Sequence, residues 1–362
     1  MECIGLDIGT SKIKIVELVK KPTVFALKKL AVVPIPFGTI EGGNILQPQV
    51  VTEAIKTAIK KSGISGKKVI AAVAGQSVIV RHIKVPNLSD NELRSGLKYE
   101  VEKYLPYPVE EAVIDFHVIN RPANPSEDMD IMIVAVREAI IHSHVTAITN
   151  AGLTPLAIDI QPFALLRSLG FEELSSKQEE IISGKSIALI DIGAGTTDLV
   201  IFKDGLLKFT RIIPVAGYRF TTAIAKNLNI SEAEAEKKKA EEAVIILGDG
   251  PSAGDQNSQE YRLFMSFRGV LEELLLEIKR SFDYYKLQNR GEEVNEVINT
   301  GGGSKFRNLS RYMENELMIK TKIGDPLDFL DVSAKHLDYD YLQEIAPMLS
   351  VSIGLAQRGA ER

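Results

Sequence analysis

Two short stretches of this sequence carry the residue types that handle phosphate and a divalent cation: DIGTSKIK at 7–14 and DIGAGTTD at 191–198. Each follows an apolar run and leads into another. An aspartate at a strand end, followed by glycine and hydroxyl residues, makes a tight turn with free backbone N–H groups that cradle phosphate oxygens. The carboxylate beside the turn can hold Mg2+ or its water. A single copy also fits a structural hairpin, which needs the same glycine. Two copies, one in each half of the chain, predict similar lobes that face each other across a cleft and grip a phosphate chain from both sides. A third turn, INTGGGSKF at 298–306, again follows an apolar strand pattern and would let a nucleotide base and sugar lie close to backbone.

The elements that must position these turns follow from hydrophobic periodicity. CIGLDIG, IKIVELV and TVFALKKLAVVPI read as successive strands. Residues 47–62 place Val51, Ile55 and Ile59 on one helix face, with Gly63 near the end, and KVIAAVAG returns as a buried strand. After Ile83, Ser89 and Glu92 form a capping box, and Leu93, Leu97 and Val101 mark one apolar face before YLPYPVEE stops the helix. VIDFHVI and MDIMIVAV follow around a hairpin loop, NRPANPSED, and a helix is expected near 138–150. The second half repeats the opening strands in KSIALIDIGAGTTDLVIFKDGLLKFTRIIPV. Then come a serine-capped helix, SEAEAEKKKAEEAVI, a polar loop, LGDGPSAGDQNSQE, a long helix at about 262–288 and a last helix carrying APMLSVSIGLA. Within the first of these, KKKAEE at 237–242 reads as a solvated face.

The expected domains are a lobe I core at 1–83 and 159–185, interrupted by an inserted α/β subdomain at 84–158, and a lobe II core at 186–228 and 296–362, interrupted by a second subdomain at 229–295. A chain of 362 residues with 45% hydrophobic content supports two or more packed domains. A net charge of -5 gives no general electrostatic reason to bind nucleic acid, and the single cysteine, Cys3, excludes an internal disulfide. The five histidines form no metal pattern; His142 and His144 diverge on a helix. The absence of a signal-like start and of a long uncharged apolar segment predicts a cytoplasmic protein.

The ordered set of turns resembles the actin-like ATPase superfamily, which includes Hsp70 proteins, sugar kinases and the cell-division protein FtsA. The fold class this implies is α/β, an actin-like, ribonuclease H-like two-lobed ATPase fold, with ATP and Mg2+ as cofactors. The resemblance gives Asp7 and Asp191 the metal side. It puts Gly9, Thr10 and Ser11 in the first phosphate turn, with Lys14 where actins keep a phosphate-contacting lysine. Gly193, Ala194, Gly195, Thr196 and Thr197 match the second phosphate motif. Gly301, Gly302 and Gly303, with Ser304 and Lys305 beside them, match the adenosine motif. AIDIQPFALLRS and PMLSVSIGLAQ match the two connecting helices, and Gln161 stands where actin orients attacking water. Glu277, Lys279 and Arg280, followed by Ser281, resemble the base- and ribose-facing group of Hsp70-like relatives. Gln161 and Asp191 would serve any turnover. Because an amide positions water without titrating, and because many relatives are poor ATPases, hydrolysis is expected to be weak or absent.

The inserted unit follows the first helix and strand, as subdomain 1C does in FtsA. Its stretch VPNLSDNELRSGLKYEVEKYLPYPVEEAVIDFHVI is similar to the PilM family of type IV pilus assembly proteins, through Pro86, Glu92, Leu93, Glu100, Tyr104, Pro106, Val109 and Asp115. That resemblance implies an ATP-binding cytoplasmic scaffold whose partner is the N-terminal cytoplasmic tail of PilN, a bitopic inner-membrane protein. The tail would bind at the junction of subdomains 1A and 1C, in a shallow groove with apolar pockets. Through PilN the chain would connect to PilO and the pilus machinery and sit peripherally at the inner membrane, with self-association left open. Leu105, Pro106 and Tyr107 fit either the groove or a core turn. Two other readings stay open: an FtsA-like filament-forming ATPase and a small-molecule kinase. The first lacks a membrane-targeting helix after SIGLAQRGAER, and the second would use a carboxylate base such as Asp159.

Overall fold

The computed structural model describes residues 2–76, 78–171, 183–248, 258–334 and 337–360. Two mixed sheets of the same plan form its frame. In the first, strands Glu2–Ile8, Lys12–Lys20 and Phe25–Pro34 make an antiparallel meander, and Lys68–Val73 and Thr154–Ile160 add in parallel on the other side of Glu2–Ile8. In the second, Ser186–Ile192, Thr197–Lys203 and Leu206–Ile213 repeat the meander, and Val294–Thr300 and Lys320–Ile323 supply the parallel strands. The doubled Asp-x-Gly turn therefore marks a doubled sheet.

Helices Pro48–Ser62 and Glu138–Asn150 cover one face of the first sheet, where Val51, Ile55, Ala147 and Ile148 join Ile13 and Ile15 in a buried cluster. Gly63 ends the first of these helices in the left-handed region, φ +65°. Helices Gln161–Ser168 and Ser350–Ala360 lie between the two sheets, and their Leu165, Val351 and Leu355 share a core with Ile70 of the first sheet and Leu189 of the second. The two helices cross with almost no gap: a Cβ on Gly354 would stand 1.8 Å from the carbonyl oxygen of Ala164.

The inserted unit is a three-stranded antiparallel sheet of Val78–Val85, Met129–Arg137 and Ala112–Asn120, backed by helix Asp90–Glu102. Leu93, Leu97 and Val101 are buried on that helix, and the capping box is formed, with the Ser89 N–H donating to Glu92 Oε2 at 2.8 Å. The sheet starts ahead of the expected boundary at 84, because Val78–Val85 pairs along its whole length with Met129–Arg137. Helix Glu138–Asn150 and strand Thr154–Ile160 pack into the first lobe rather than into this unit. Tyr107 is buried under Arg137, whose guanidinium stands 4.6 Å from the ring centroid, while Leu105 is half-buried and Pro106 exposed; none of the three lines the groove beside strand Ala112–Asn120.

In the second half the long helix spans Gln259–Gln288, starting earlier than expected because Ser258 caps it, its hydroxyl accepting from the Tyr261 N–H at 3.1 Å. The preceding helix stops at Glu241, and Ala243 and Ile245 leave it to pack in the lobe II core. Of the polar loop expected after it, residues 249–257 lie outside the described residues.

Candidate functional site

Strand register explains how one turn motif yields two different chemical environments. Asp7 pairs across the hairpin with Lys14, and at the equivalent place in the second lobe Asp191 pairs with Asp198. Lys14 Nζ donates to Asp7 Oδ2 at 2.7 Å, a nearly buried ion pair. In the second lobe two carboxyls share the buried site. Burial pushes Asp191 up to about 6, Lys14 opposing and Asp7 adding to the rise. Asp198 is pushed up to about 7 by burial first and then by Asp191, while the Thr196 hydroxyl, donating at 3.2 Å, pulls it back and Asp7 adds a little.

The turns themselves are closed alike. The Gly9 N–H donates to the Lys12 carbonyl at 3.2 Å, and the Gly193 N–H to the Thr196 carbonyl at 3.0 Å. They also meet across the cleft, where the Gly195 N–H donates to the Thr10 hydroxyl at 3.0 Å. Tyr218, on helix Gly217–Leu228, donates its hydroxyl to the Thr10 carbonyl at 3.0 Å, and its ring meets Phe37 edge-on with centroids 4.2 Å apart. Burial, with Glu236 nearby, pushes this phenol up to about 12. The third turn lies against the second. Gly301 sits at φ +81°, and a Cβ there would stand 2.1 Å from Asp191 Oδ1, so only glycine fits.

A cavity of about 350 Å³ opens between the turns, lined among others by Asp7, Lys14, Gln161, Asp191, Thr196 and Gly302. Gln161 Oε1 is buried there without a hydrogen-bond partner among the described residues. A second cavity of about 590 Å³ adjoins it, sharing Phe37, Gly193, Tyr218 and Gly302. Ser11, Ala194 and Gly303 line this second space with Lys12, Glu236, Lys239 and Lys305. Thr197 and Ser304 lie behind the turns and shape them, donating to the Val215 carbonyl at 2.7 Å and the Gly301 carbonyl at 2.8 Å.

Two readings need correction. Glu277, Lys279 and Arg280 line neither cavity: Glu277 pairs with Arg211 of strand Leu206–Ile213 at 2.7 Å and with Arg280, and Lys279 with Glu316 at 3.3 Å. Helix Glu232–Glu241 does face the second cavity, with Glu232, Glu236, Lys239 and Glu241 among its lining residues, so its KKKAEE run is not a uniformly solvated face. Lys239 donates to Thr221 Oγ1 at 2.7 Å and Glu236 Oε2 at 2.6 Å, and burial lowers its pKa despite that carboxylate. Burial alone would raise Glu236, but Lys239 and Thr221 hold it below its ordinary range. Asp198, Tyr218, Glu236 and Lys239 are thus the site residues that sequence reasoning passed over. Asp198 closes the quoted motif, and its hairpin register was the available signal.

A third space, a groove of about 470 Å³, lies where three strands meet: Ala112–Asn120, Thr154–Ile160 and Leu206–Ile213. Each is the edge strand of its sheet. Val113, Phe116, Ile158 and Leu207 give the groove apolar walls, and Asp159, Arg167 and Arg358 form an ion cluster within it. Asp159, the base considered for a kinase, lines this groove and not the cleft.

The profile of the family described as type IV pilus assembly protein PilM matches residues 5–360. Among solved structures, the chain is similar to that of a PilM-PilN type IV pilus biogenesis complex, with 29% identity and a TM-score of 0.86, covering 100% of this chain and 99% of that one. MreB5 of Spiroplasma citri bound to AMPPNP shares 14% identity and a TM-score of 0.52 over 97% of this chain and 93% of that one, a likeness of fold alone. The cell division protein FtsA of Bacillus subtilis is 26% identical over 261 residues, 65% of this chain, and the match spans 57% of that protein's length. The doubled sheet with its inserted unit is the actin-like fold of the FtsA-like branch, and the chain belongs to the PilM family of type IV pilus assembly proteins.

Proposed function

We propose that the chain is a nucleotide-binding scaffold of the type IV pilus inner-membrane complex, holding ATP with Mg2+ in the cleft and the cytoplasmic tail of PilN in the groove. The groove carries the reading. Among the described residues its three strand edges are unpaired, and with the apolar walls they suit an extended peptide, which can add main-chain hydrogen bonds to an exposed edge. The likeness to a PilM-PilN complex at a TM-score of 0.86 supports PilN as the occupant. Among the described residues no helix is long and apolar enough to cross a membrane. PilN would therefore hold the chain at the inner membrane and connect it to PilO.

The cleft residues fit a nucleotide with its cation. Among the described residues Gln161 Oε1 is an acceptor without a partner, and Asp191 and Asp198 are buried carboxyls, raised first by burial, that a cation would relieve. Among the described residues no three His, Cys, Asp or Glu side chains make a metal cage. Asp7 and Asp191 would hold Mg2+ together with phosphate oxygens and water, the ligand set this ion prefers. When bound, Mg2+ neutralises phosphate charge. The turns at Gly9–Ser11 and Gly193–Thr196 would take the phosphates with Lys14 beside them, and Gly301–Gly303 with the second cavity would take the sugar and base. Gln161 orients water but accepts no proton, and a cation beside Asp198 lowers its pKa and weakens it as a base. Turnover is weak at most.

The raised carboxyls set a pH dependence. Asp191 at about 6 and Asp198 at about 7 lie above the ordinary carboxylate range. The folded metal-free chain therefore holds more protons than the unfolded chain from about pH 4 to about pH 7, and its stability falls as pH rises through that window. Bound cation relieves the same charge. Magnesium-ATP should raise the melting temperature more at about pH 8 than at about pH 5; equal shifts at both contradict this.

The groove reading is tested by fluorescence anisotropy with a labelled peptide of the PilN N-terminal tail. Wild type should bind it, and Val113→Glu, which puts a charge on an exposed edge of the groove, should weaken binding about tenfold or more. Equal binding by both chains places the tail elsewhere, and no binding by either refutes the reading.

A further inference from the structure

Two helices join the nucleotide cavity to the groove. Helix Gln161–Ser168 begins with Gln161 in the cavity and carries Arg167 in the groove. Helix Ser350–Ala360 begins with Ser350 and Val351 in the cavity and carries Arg358 in the groove. Six to eight residues of helix separate the two ends by about 9–12 Å. The helices cross at Gly354 and Ala164 so closely that one cannot shift without moving the other.

At the groove end both helices are tied to one carboxylate. Asp159 Oδ2 accepts from Arg167 Nη1 at 2.8 Å and stands 2.8 Å from Arg358 Nη1 in an ion pair, while Oδ1 accepts from the Ile160 N–H at 2.8 Å. Asp159 is 4% exposed and stands two residues before Gln161. Asp115 also lines the groove, so its charged groups are the two guanidiniums and two carboxylates, set among apolar walls. The side chain of Arg167 is 8% exposed, but that of Arg358 is 28% exposed. Arg358 is therefore the member of the clamp that an extended segment in the groove would reach, and the matching group is an acceptor oxygen: a main-chain carbonyl, a carboxamide or a carboxylate.

We infer that Arg358 is the residue through which a seated tail is felt in the nucleotide cavity. This rests on the tail-binding reading above. An acceptor oxygen of the tail engages the guanidinium that also holds Asp159. The resulting adjustment of the clamp passes along the crossed helices to Gln161, Ser350 and Val351, at the phosphate end of the cleft. Linkage makes the effect reciprocal, so nucleotide changes tail affinity by the factor by which tail changes nucleotide affinity.

The test is calorimetry on the full chain, titrating the PilN tail peptide with and without saturating magnesium-ATP, for wild type, Arg358→Met and Arg358→Lys. Wild type should show tail affinity changing about fivefold or more with nucleotide. Arg358→Met should bind the tail about tenfold more weakly and show a coupling factor near one. Arg358→Lys keeps the charge opposite Asp159 and so protects the fold, but loses the planar fork; it should keep part of the tail affinity and lose the coupling. If both variants keep the wild-type coupling, or if wild type binds the tail equally with and without nucleotide, the inference is overturned while tail binding stands. If wild type does not bind the tail at all, both fall.

Discussion

Asp7→Asn will lower the affinity for magnesium-ATP by about 100-fold or more and leave the fold standing. The carboxylate is 4% exposed at the end of the first strand, 2.7 Å from Lys14 Nζ. Removing the negative member of a buried pair strands the positive one, which costs about 3–5 kcal/mol where nothing replaces it. The amide softens this, since its oxygen still accepts from Lys14, but it cannot supply charge to Mg2+. A loss of 100-fold corresponds to about 2.7 kcal/mol of binding. Asp191→Asn should behave differently in the absence of ligand. Burial has already pushed that carboxyl up to about 6, so the neutral amide removes an unfavourable charge, and the metal-free chain should melt higher at neutral pH. Both variants should lose the dependence of ATP binding on Mg2+. Calorimetry with Mg2+ and with EDTA, beside thermal melts, separates the two effects; an Asp7→Asn chain that binds magnesium-ATP normally would remove Asp7 from the site.

Gly354→Val will cost the chain about 4 kcal/mol or more and leave little folded protein. Even a single Cβ at that position would lie 1.8 Å from the Ala164 oxygen and 2.6 Å from its carbon. Both atoms are helix backbone, so no side-chain rotation relieves the overlap, and the two helices would have to separate. They sit in the core that holds both sheets, with Leu165, Val351, Leu355 and Leu189 packed together. Overpacking alone costs about 1–3 kcal/mol; here it is joined by lost contacts along both helices, which places the change among the largest single-residue effects. Gly359→Ala is the control on the same helix. Its Cβ would meet Cys3 Cβ at 3.2 Å, a contact that small shifts accommodate. Circular dichroism melts of the soluble fractions compare the two. Equal stability would mean that the helices are less closely engaged than their crossing indicates.

Much of the cleft was legible because its signals are local. A strand-end aspartate and the glycines after it need no distant partner to be recognised, and both turns sit where the hairpin register places them. The same register put Asp198 opposite Asp191, a consequence of pairing that inspection of one motif at a time passes over. What stayed hidden depends on which face of a helix meets which cavity. Charged residues recur along both Glu232–Glu241 and Gln259–Gln288, and periodicity does not tell which helix turns them inward. Lys239, inside a run of three lysines, becomes a cavity residue only because Thr221 and Glu236 lie beside it. The edge of the inserted unit was blurred for a similar reason: strand Val78–Val85 follows closely on Lys68–Val73, and sequence alone does not show that the chain has changed sheets between them. The Asp159 clamp draws its three residues from a strand and two helices that only the assembled fold brings together.

Native mass spectrometry of the full chain mixed with magnesium-ATP and the PilN tail peptide tests the central claim most directly, because it counts both ligands on one molecule. Separate sites in the cleft and the groove predict a ternary complex of one chain, one nucleotide and one peptide, lost selectively on the peptide side in Val113→Glu and on the nucleotide side in Asp7→Asn. Mutual displacement of nucleotide and peptide, or a chain that never carries the tail, would contradict it.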